Sequence, residues 1–93
     1  MTPSEPKLVP LGRTVATPAA LGTVSQPEIV AALRRHAAGD WGNVTPDDRA
    51  ANDDALKSGE RILSVYRSGI GTTFWVITEA DRSATTVLLP DDY

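Results

Sequence analysis

The chain has 93 residues, no cysteine, 41% apolar and 23% charged residues, and a net charge of −3. That length fits one domain with a thin core, and the composition fits a folded chain better than a disordered one. The missing cysteines exclude disulfides, thiol nucleophiles and Cys-based zinc sites, and so small a domain without disulfide staples favours a reducing compartment.

No apolar run approaches the ~18–20 residues of a membrane span. The first residues, Met1-Thr2-Pro3-Ser4-Glu5-Pro6, do not read as a secretory leader, so a cytoplasmic protein is expected. Charge is uneven: residues 1–39 carry +2 and residues 40–93 carry −5. An acidic balance argues against direct nucleic-acid binding, which needs a basic face.

Residues 1–10 hold Pro3, Pro6 and Pro10 and read as a flexible proline-rich arm. A single domain is expected over 11–93. Residues 11–16 are compatible with a short strand. Thr17 to Gly22 reads as one helical turn, with Thr capping, Pro18 starting and Gly stopping it.

The first full helix opens at Ser25, with Glu28 three residues on completing a capping box. Ile29, Val30, Leu33 and Ala37 follow at helical spacing. Arg34, Arg35 and His36 suit the C-terminal end of the dipole, and Gly39 is the stop. Trp41 then reads as an aromatic anchor in a tight linker. A second helix runs from Thr45-Pro46 to about Ser58, with Asp47 and Asp48 in its first turn and Gly59 after its end. Its apolar face, Ala50, Ala51, Ala55 and Leu56, is poor.

After Gly59 the period changes from 3.6 to 2. Residues 61–67, 72–78 and 84–89 read as three strands. Ser68-Gly69-Ile70-Gly71 and residues 79–83 are the turns between them. The expected fold is therefore α+β: two helices on one face of a three-stranded antiparallel sheet, with residues 11–16 as an optional fourth strand.

Chemistry is scarce. The single histidine, His36, follows two arginines and reads as a helix-end or surface group rather than a catalytic base. Asp47, Asp48, Asp53 and Asp54 lie on one helix, which splays its acids and does not converge the roughly six oxygens of a hard-cation site. Gly69-Ile70-Gly71 leads into a strand, so it offers no phosphate cradle at a helix N-terminus. No catalytic residue, metal site or cofactor is expected. Asn52, in the middle of the second helix, reads as an exposed residue or a hydrogen-bonding contact. The turn after the second strand of the meander concentrates Glu79, Asp81 and Arg82, as a local ion pair or a recognition surface. Trp75 alternates with Thr73 and Ile77, opposite Phe74 and Val76. One set packs under the helices, and the other is solvent-exposed or part of an interface.

Several segments together resemble a known group: Leu11-Gly12-Arg13-Thr14-Val15-Ala16-Thr17-Pro18, Gly39-Asp40-Trp41-Gly42, Ala51-Asn52-Asp53-Asp54-Ala55-Leu56, Trp75-Val76-Ile77-Thr78-Glu79-Ala80-Asp81-Arg82-Ser83 and Leu88-Leu89-Pro90. The chain resembles a family of small bacterial proteins carried on plasmids and integrative elements, labelled hypothetical or plasmid-related. The resemblance implies no activity and no catalytic residue. It implies that Trp41, Asn52, Glu79, Asp81 and Arg82 belong to the family pattern.

These readings lead to a non-enzymatic protein-interaction module, an accessory protein of a mobile element. Trp41, Asn52, Trp75, Glu79, Asp81 and Arg82 are its candidate contact residues, with a protein partner or a second copy of the chain as occupant. One alternative is a small acidic inhibitor of a nucleic-acid-handling host defence. It requires Asp47, Asp48, Asp53, Asp54, Asp91 and Asp92 to cluster on one face. The other alternative is a small enzyme, in which His36, Glu79 and Asp81 would have to meet in a pocket.

Overall fold

Each helix starts on the same chemistry. Thr17, Ser25 and Thr45 take extended backbone, and their hydroxyls accept from the backbone N–H groups of Ala20, Glu28 and Asp48 at 3.1, 3.4 and 3.1 Å. A proline in the first turn follows each cap, where its missing N–H costs little. The computed structural model describes residues 9–93, and its helices are α1 (Pro18–Thr23), α2 (Gln26–Ala37) and α3 (Pro46–Ser58). α1 extends the single turn read from the sequence into a six-residue helix. The Glu28 carboxylate accepts from Ser25 Oγ at 2.8 Å and from the Gly69 N–H at 2.6 Å, tying the start of α2 to the β-hairpin.

The strands are β1 (Arg13–Ala16), β2 (Ile62–Arg67), β3 (Thr73–Thr78) and β4 (Ala84–Leu88), in the order β1-β4-β3-β2. β2, β3 and β4 form the expected antiparallel meander. The fourth strand is present, and it pairs with β4 in parallel. The sheet is therefore mixed rather than wholly antiparallel. Alternation along β1 identifies it as a strand but carries no information on its direction relative to a partner about 70 residues away. Gly12 permits the arrangement: it takes φ 62°, and a Cβ there would lie 2.5 Å from the carbonyl oxygens of Arg82 and Ser83.

Alternation divides the sheet into two faces. Ser64, Tyr66, Phe74, Val76, Thr78, Thr85 and Val87 are buried on the helix side. Ala20, Val24, Ile29 and Ala32 pack there against Tyr66, Phe74, Val76 and Val87. A second cluster joins Val9, Trp41, Ala55 and Ile62. Val9 is fully buried, and its N–H donates to the Ala37 carbonyl at 3.1 Å. The chain is thus anchored two residues before the expected domain start at 11. Residues 1–8, most of the expected proline-rich arm, lie outside the described residues.

Arg82 is the one non-glycine among the described residues with positive φ, at 62°. Its Nη1 donates to the carbonyls of Glu60, Glu79 and Ala80 at 2.7, 3.2 and 3.3 Å, and its Nη2 to the Ala55 carbonyl at 2.8 Å. One guanidinium thus satisfies the last turn of α3, the α3–β2 connection and its own turn. Charged hydrogen bonds of this kind are worth about 1.5–3 kcal/mol each, and they are not additive. Arg82→Ala is therefore expected to lower the unfolding free energy by about 3 kcal/mol, read as the urea midpoint at constant slope. A change below ~0.5 kcal/mol would show that water replaces the guanidinium without loss.

Candidate interaction surface

The six candidate contact residues divide sharply. Trp41 is buried; its indole N–H donates to Asp53 Oδ1 at 3.1 Å and its ring meets the His36 imidazole edge-on at 5.8 Å. Asn52, read as exposed or a contact, is buried. Its Nδ2 donates to the Leu63 carbonyl at 2.7 Å and its Oδ1 accepts from the Leu63 N–H at 3.2 Å. Arg82 is spent on carbonyls of its own chain. These three hold the fold and are not available to a partner. Asp81 is exposed; its carboxylate accepts from the Ser83 N–H at 3.0 Å, and the bonds to Ser83 hold it below its ordinary pKa. Glu79 is exposed beside Arg61. Trp75 is half-buried on the sheet face opposite the helices.

His36 stands in the last turn of α2, as expected, but inside the protein rather than at its surface. It is fully buried between Ser64 and Thr78. Nδ1 lies 2.6 Å from Ser64 Oγ, Nε2 lies 2.8 Å from Thr78 Oγ1, and Thr78 Oγ1 lies 2.7 Å from Thr85 Oγ1. Thr85 Oγ1 donates to the Leu11 carbonyl at 2.7 Å. That last bond fixes the protons of the whole chain. Thr85 has given its proton to Leu11, so Thr78 donates to Thr85. His36 Nε2–H then donates to Thr78, and Nδ1 accepts from Ser64. The imidazole is the neutral Nε2–H tautomer, and its pKa falls to about 4, chiefly through burial and secondarily through the Arg82 charge. Ser64 and His36 have the spacing of a nucleophile and its base. Both are sealed from solvent, and neither Glu79 nor Asp81 joins them: the two carboxylates stand in the exposed turn.

The acidic residues do not gather. Asp92 Oδ2 accepts from Thr17 Oγ1 at 2.7 Å, at the β1 end of the sheet. Asp47, Asp48, Asp53 and Asp54 lie on α3, against β2 at the other edge. No group of three or more His, Asp or Glu side chains placed to share a metal ion occurs among the described residues.

What stands open is the second face of the sheet. No helix covers it. The alternation of each strand places Arg13 and Val15, Leu63, Val65 and Arg67, Thr73, Trp75 and Ile77, and Thr86 and Leu88 on this side. The strands contribute no carboxylate to it; Glu79 and the Asp91-Asp92 turn lie at its rim. A 3-10 turn, Pro90–Asp92, brings the chain back so that Tyr93 meets Trp75 edge-on at 5.7 Å. Arg61 Nη1 donates to the Tyr93 hydroxyl at 2.7 Å, and that bond, with a smaller effect of the Glu79 charge, raises the arginine's pKa. Asn52, Arg61, Leu63, Trp75, Ile77 and Tyr93 line an open hollow of about 320 Å³. Arg61, Arg67 and Tyr93 were not singled out from the sequence. The alternation 61-63-65-67 beside 73-75-77 already puts both arginines on Trp75's side; the return of Tyr93 has no local signal.

Compared with protein-family models, curated proteins and solved structures, the chain matches none.

Proposed function

We infer that the chain is a non-enzymatic protein-interaction module and that the open sheet face is its binding surface. The observation that carries this is the half-buried Trp75, set on an uncovered face with Tyr93 and Arg61 around a shallow hollow. Tryptophan, tyrosine and arginine are the residues most enriched at the energetic centres of protein interfaces. They offer apolar area with few torsions to freeze, and a planar donor for carboxylates. The partner that suits this face inserts an apolar side chain into the hollow and sets carboxylates against Arg13 and Arg67. The setting, an accessory protein of a mobile element, rests on the sequence resemblance alone, and the cytoplasmic reading on the missing cysteines. The acidic-inhibitor alternative finds no support in acids divided between the two edges of the sheet.

The test is selection from a random peptide library displayed against the full chain and against Trp75→Ala. Peptides enriched on the parent protein are expected to lose binding to the variant by at least about tenfold, while its circular dichroism and melting temperature stay close to those of the parent. Equal binding to both proteins would remove this face from the reading. A labelled single-stranded oligonucleotide is expected not to bind; binding that disappears in Trp75→Ala would make the face a nucleic-acid platform instead.

A further inference from the structure

The two edges of the sheet are treated differently. At β2 the outward-facing main chain of Leu63 and Val65 is occupied. The Leu63 N–H and C=O pair with the Asn52 amide, the Val65 N–H donates to the Trp41 carbonyl at 3.0 Å, and the Val65 carbonyl accepts from the Asn43 N–H at 2.7 Å. At β1 nothing comparable occurs among the described residues. Arg13 N–H donates to the Ser83 carbonyl at 3.0 Å and Thr17 N–H to the Val87 carbonyl at 2.9 Å, so odd-numbered residues face β4. In a parallel pair the residues between them, Thr14 and Ala16, direct both N–H and C=O away from the sheet. β1 is exposed along Arg13, Thr14 and Val15, and Val15 is 44% accessible. Such an edge is a template for another strand.

We propose that β1 is the edge through which two copies of this chain join, antiparallel about a two-fold axis at Val15. The side-chain chemistry selects that occupant. With Val15 opposite Val15 of the second copy, Thr14 and Ala16 form hydrogen-bonded pairs across the axis, and each supplies one donor and one acceptor. Four main-chain bonds result. Val15 lies at a non-hydrogen-bonded site, where side chains approach most closely, so two exposed valines cover each other. In the same register Arg13 falls opposite Thr17 of the second copy. The Thr17 hydroxyl is the group that holds the exposed Asp92 carboxylate at 2.7 Å. Each Arg13 thus meets the other copy's Asp92, and the symmetry makes two ion pairs of opposite charge from one surface. The edge dimer has the strand order β2-β3-β4-β1-β1-β4-β3-β2, and both open faces lie on the same side of one eight-stranded sheet. The contact is short, so association is weak and concentration-dependent.

Sedimentation velocity on the full chain, from micromolar into the millimolar range, tests this. The expected result is a monomer–dimer equilibrium. Thr14→Pro should abolish it without unfolding the protein, because the N–H it removes faces outward from an edge strand. Arg13→Glu should weaken it about tenfold, by turning two attractions into two repulsions. The double variant Arg13→Glu/Asp92→Arg should restore it. A monomer at every concentration overturns the proposal. So does a dimer that survives both Thr14→Pro and Arg13→Glu, or one dissolved by Trp75→Ala instead, which would place the contact on the open face.

Discussion

Between pH 7 and pH 5 the protein is expected to lose about 2 kcal/mol of stability, and His36→Gln is expected to remove that loss. The sign follows from the direction of the shift. The unfolded imidazole titrates near 6.5, and the folded one near 4. Folding therefore favours the neutral base, and its contribution is complete above pH 6.5. As pH falls below 6.5 the unfolded state takes up a proton that the folded state refuses, and stability declines at up to 1.36 kcal/mol per pH unit until the folded imidazole also titrates near pH 4. The full span is roughly 3 kcal/mol. The window from 7 to 5 isolates histidine, because the carboxyls of Glu28, Asp40, Asp81 and Asp92 are all held below their ordinary values, 4.5 for Glu and 3.8 for Asp, and their contributions are lost only as pH falls below those values.

The hydrogen-bond chain explains why the refusal is strong. A second proton on Nδ1 would reverse the 2.6 Å bond, so that Nδ1–H donates to Ser64 Oγ and the serine proton loses its acceptor in a fully buried site. An imidazolium there would face desolvation and the Arg82 charge with no carboxylate bonded to it. Thermal melts of the parent at pH 7 and pH 5 should differ by on the order of 10 °C, and those of His36→Gln by a small fraction of that. The variant itself will be less stable at pH 7, since Gln fits the Ser64–Thr78 gap less well. The difference between the two pH values carries the information. If the slope persists in His36→Gln, the acid sensitivity belongs to another group.

Helix starts, the stops at Gly39 and Gly59 and the strand meander were legible in the sequence because each is written in neighbouring residues, whereas Gly22, which reads as a stop, lies inside α1. Thr17-Pro18, Ser25 with Glu28, and Thr45-Pro46 are local devices, and all three act as caps. What was not legible depends on residues distant in sequence. The parallel pairing of β1 is decided by where Gly12 crosses the β3–β4 turn. The burial of His36 depends on Ser64 and Thr78, 28 and 42 residues away, supplying hydroxyls at the right height. Two arginines before a histidine suggest an exposed helix end, and that local signal misled, because helix phase turns the imidazole inward while Arg34 and Arg35 stay outside. The strand side that carries Trp75 was legible as an alternation. Its partial cover by Tyr93 was not, because a C-terminal 3-10 turn has no periodicity to read.

Asn52→Leu is expected to destabilise the protein by about 3 kcal/mol and to free one backbone amide selectively. Asn52 acts as a substitute strand. Its side-chain amide presents to Leu63 the donor and acceptor that a neighbouring backbone would present, at 2.7 and 3.2 Å. Leucine is close to asparagine in size but pairs with neither group. It would leave the Leu63 N–H and C=O unsatisfied beneath α3, where water has restricted access, at a cost of about 1–3 kcal/mol for each orphaned group. The Val65 positions two residues on would keep their partners, because Trp41 and Asn43 are held by Gly42, whose backbone at φ 73° lies so close to the Val65 carbonyl that no side chain fits between them. Amide exchange resolves the two. The Leu63 N–H should lose most of its protection in Asn52→Leu, while the Val65 N–H keeps protection up to the lowered global stability. Equal loss at both amides would mean that the edge opens as one unit and that Asn52 holds the whole linker. Unchanged protection at Leu63 would mean that another group takes the place of the Asn52 amide. In the expected case the variant also exposes a second free edge, opposite β1, and its solutions should aggregate at concentrations where the parent stays clear.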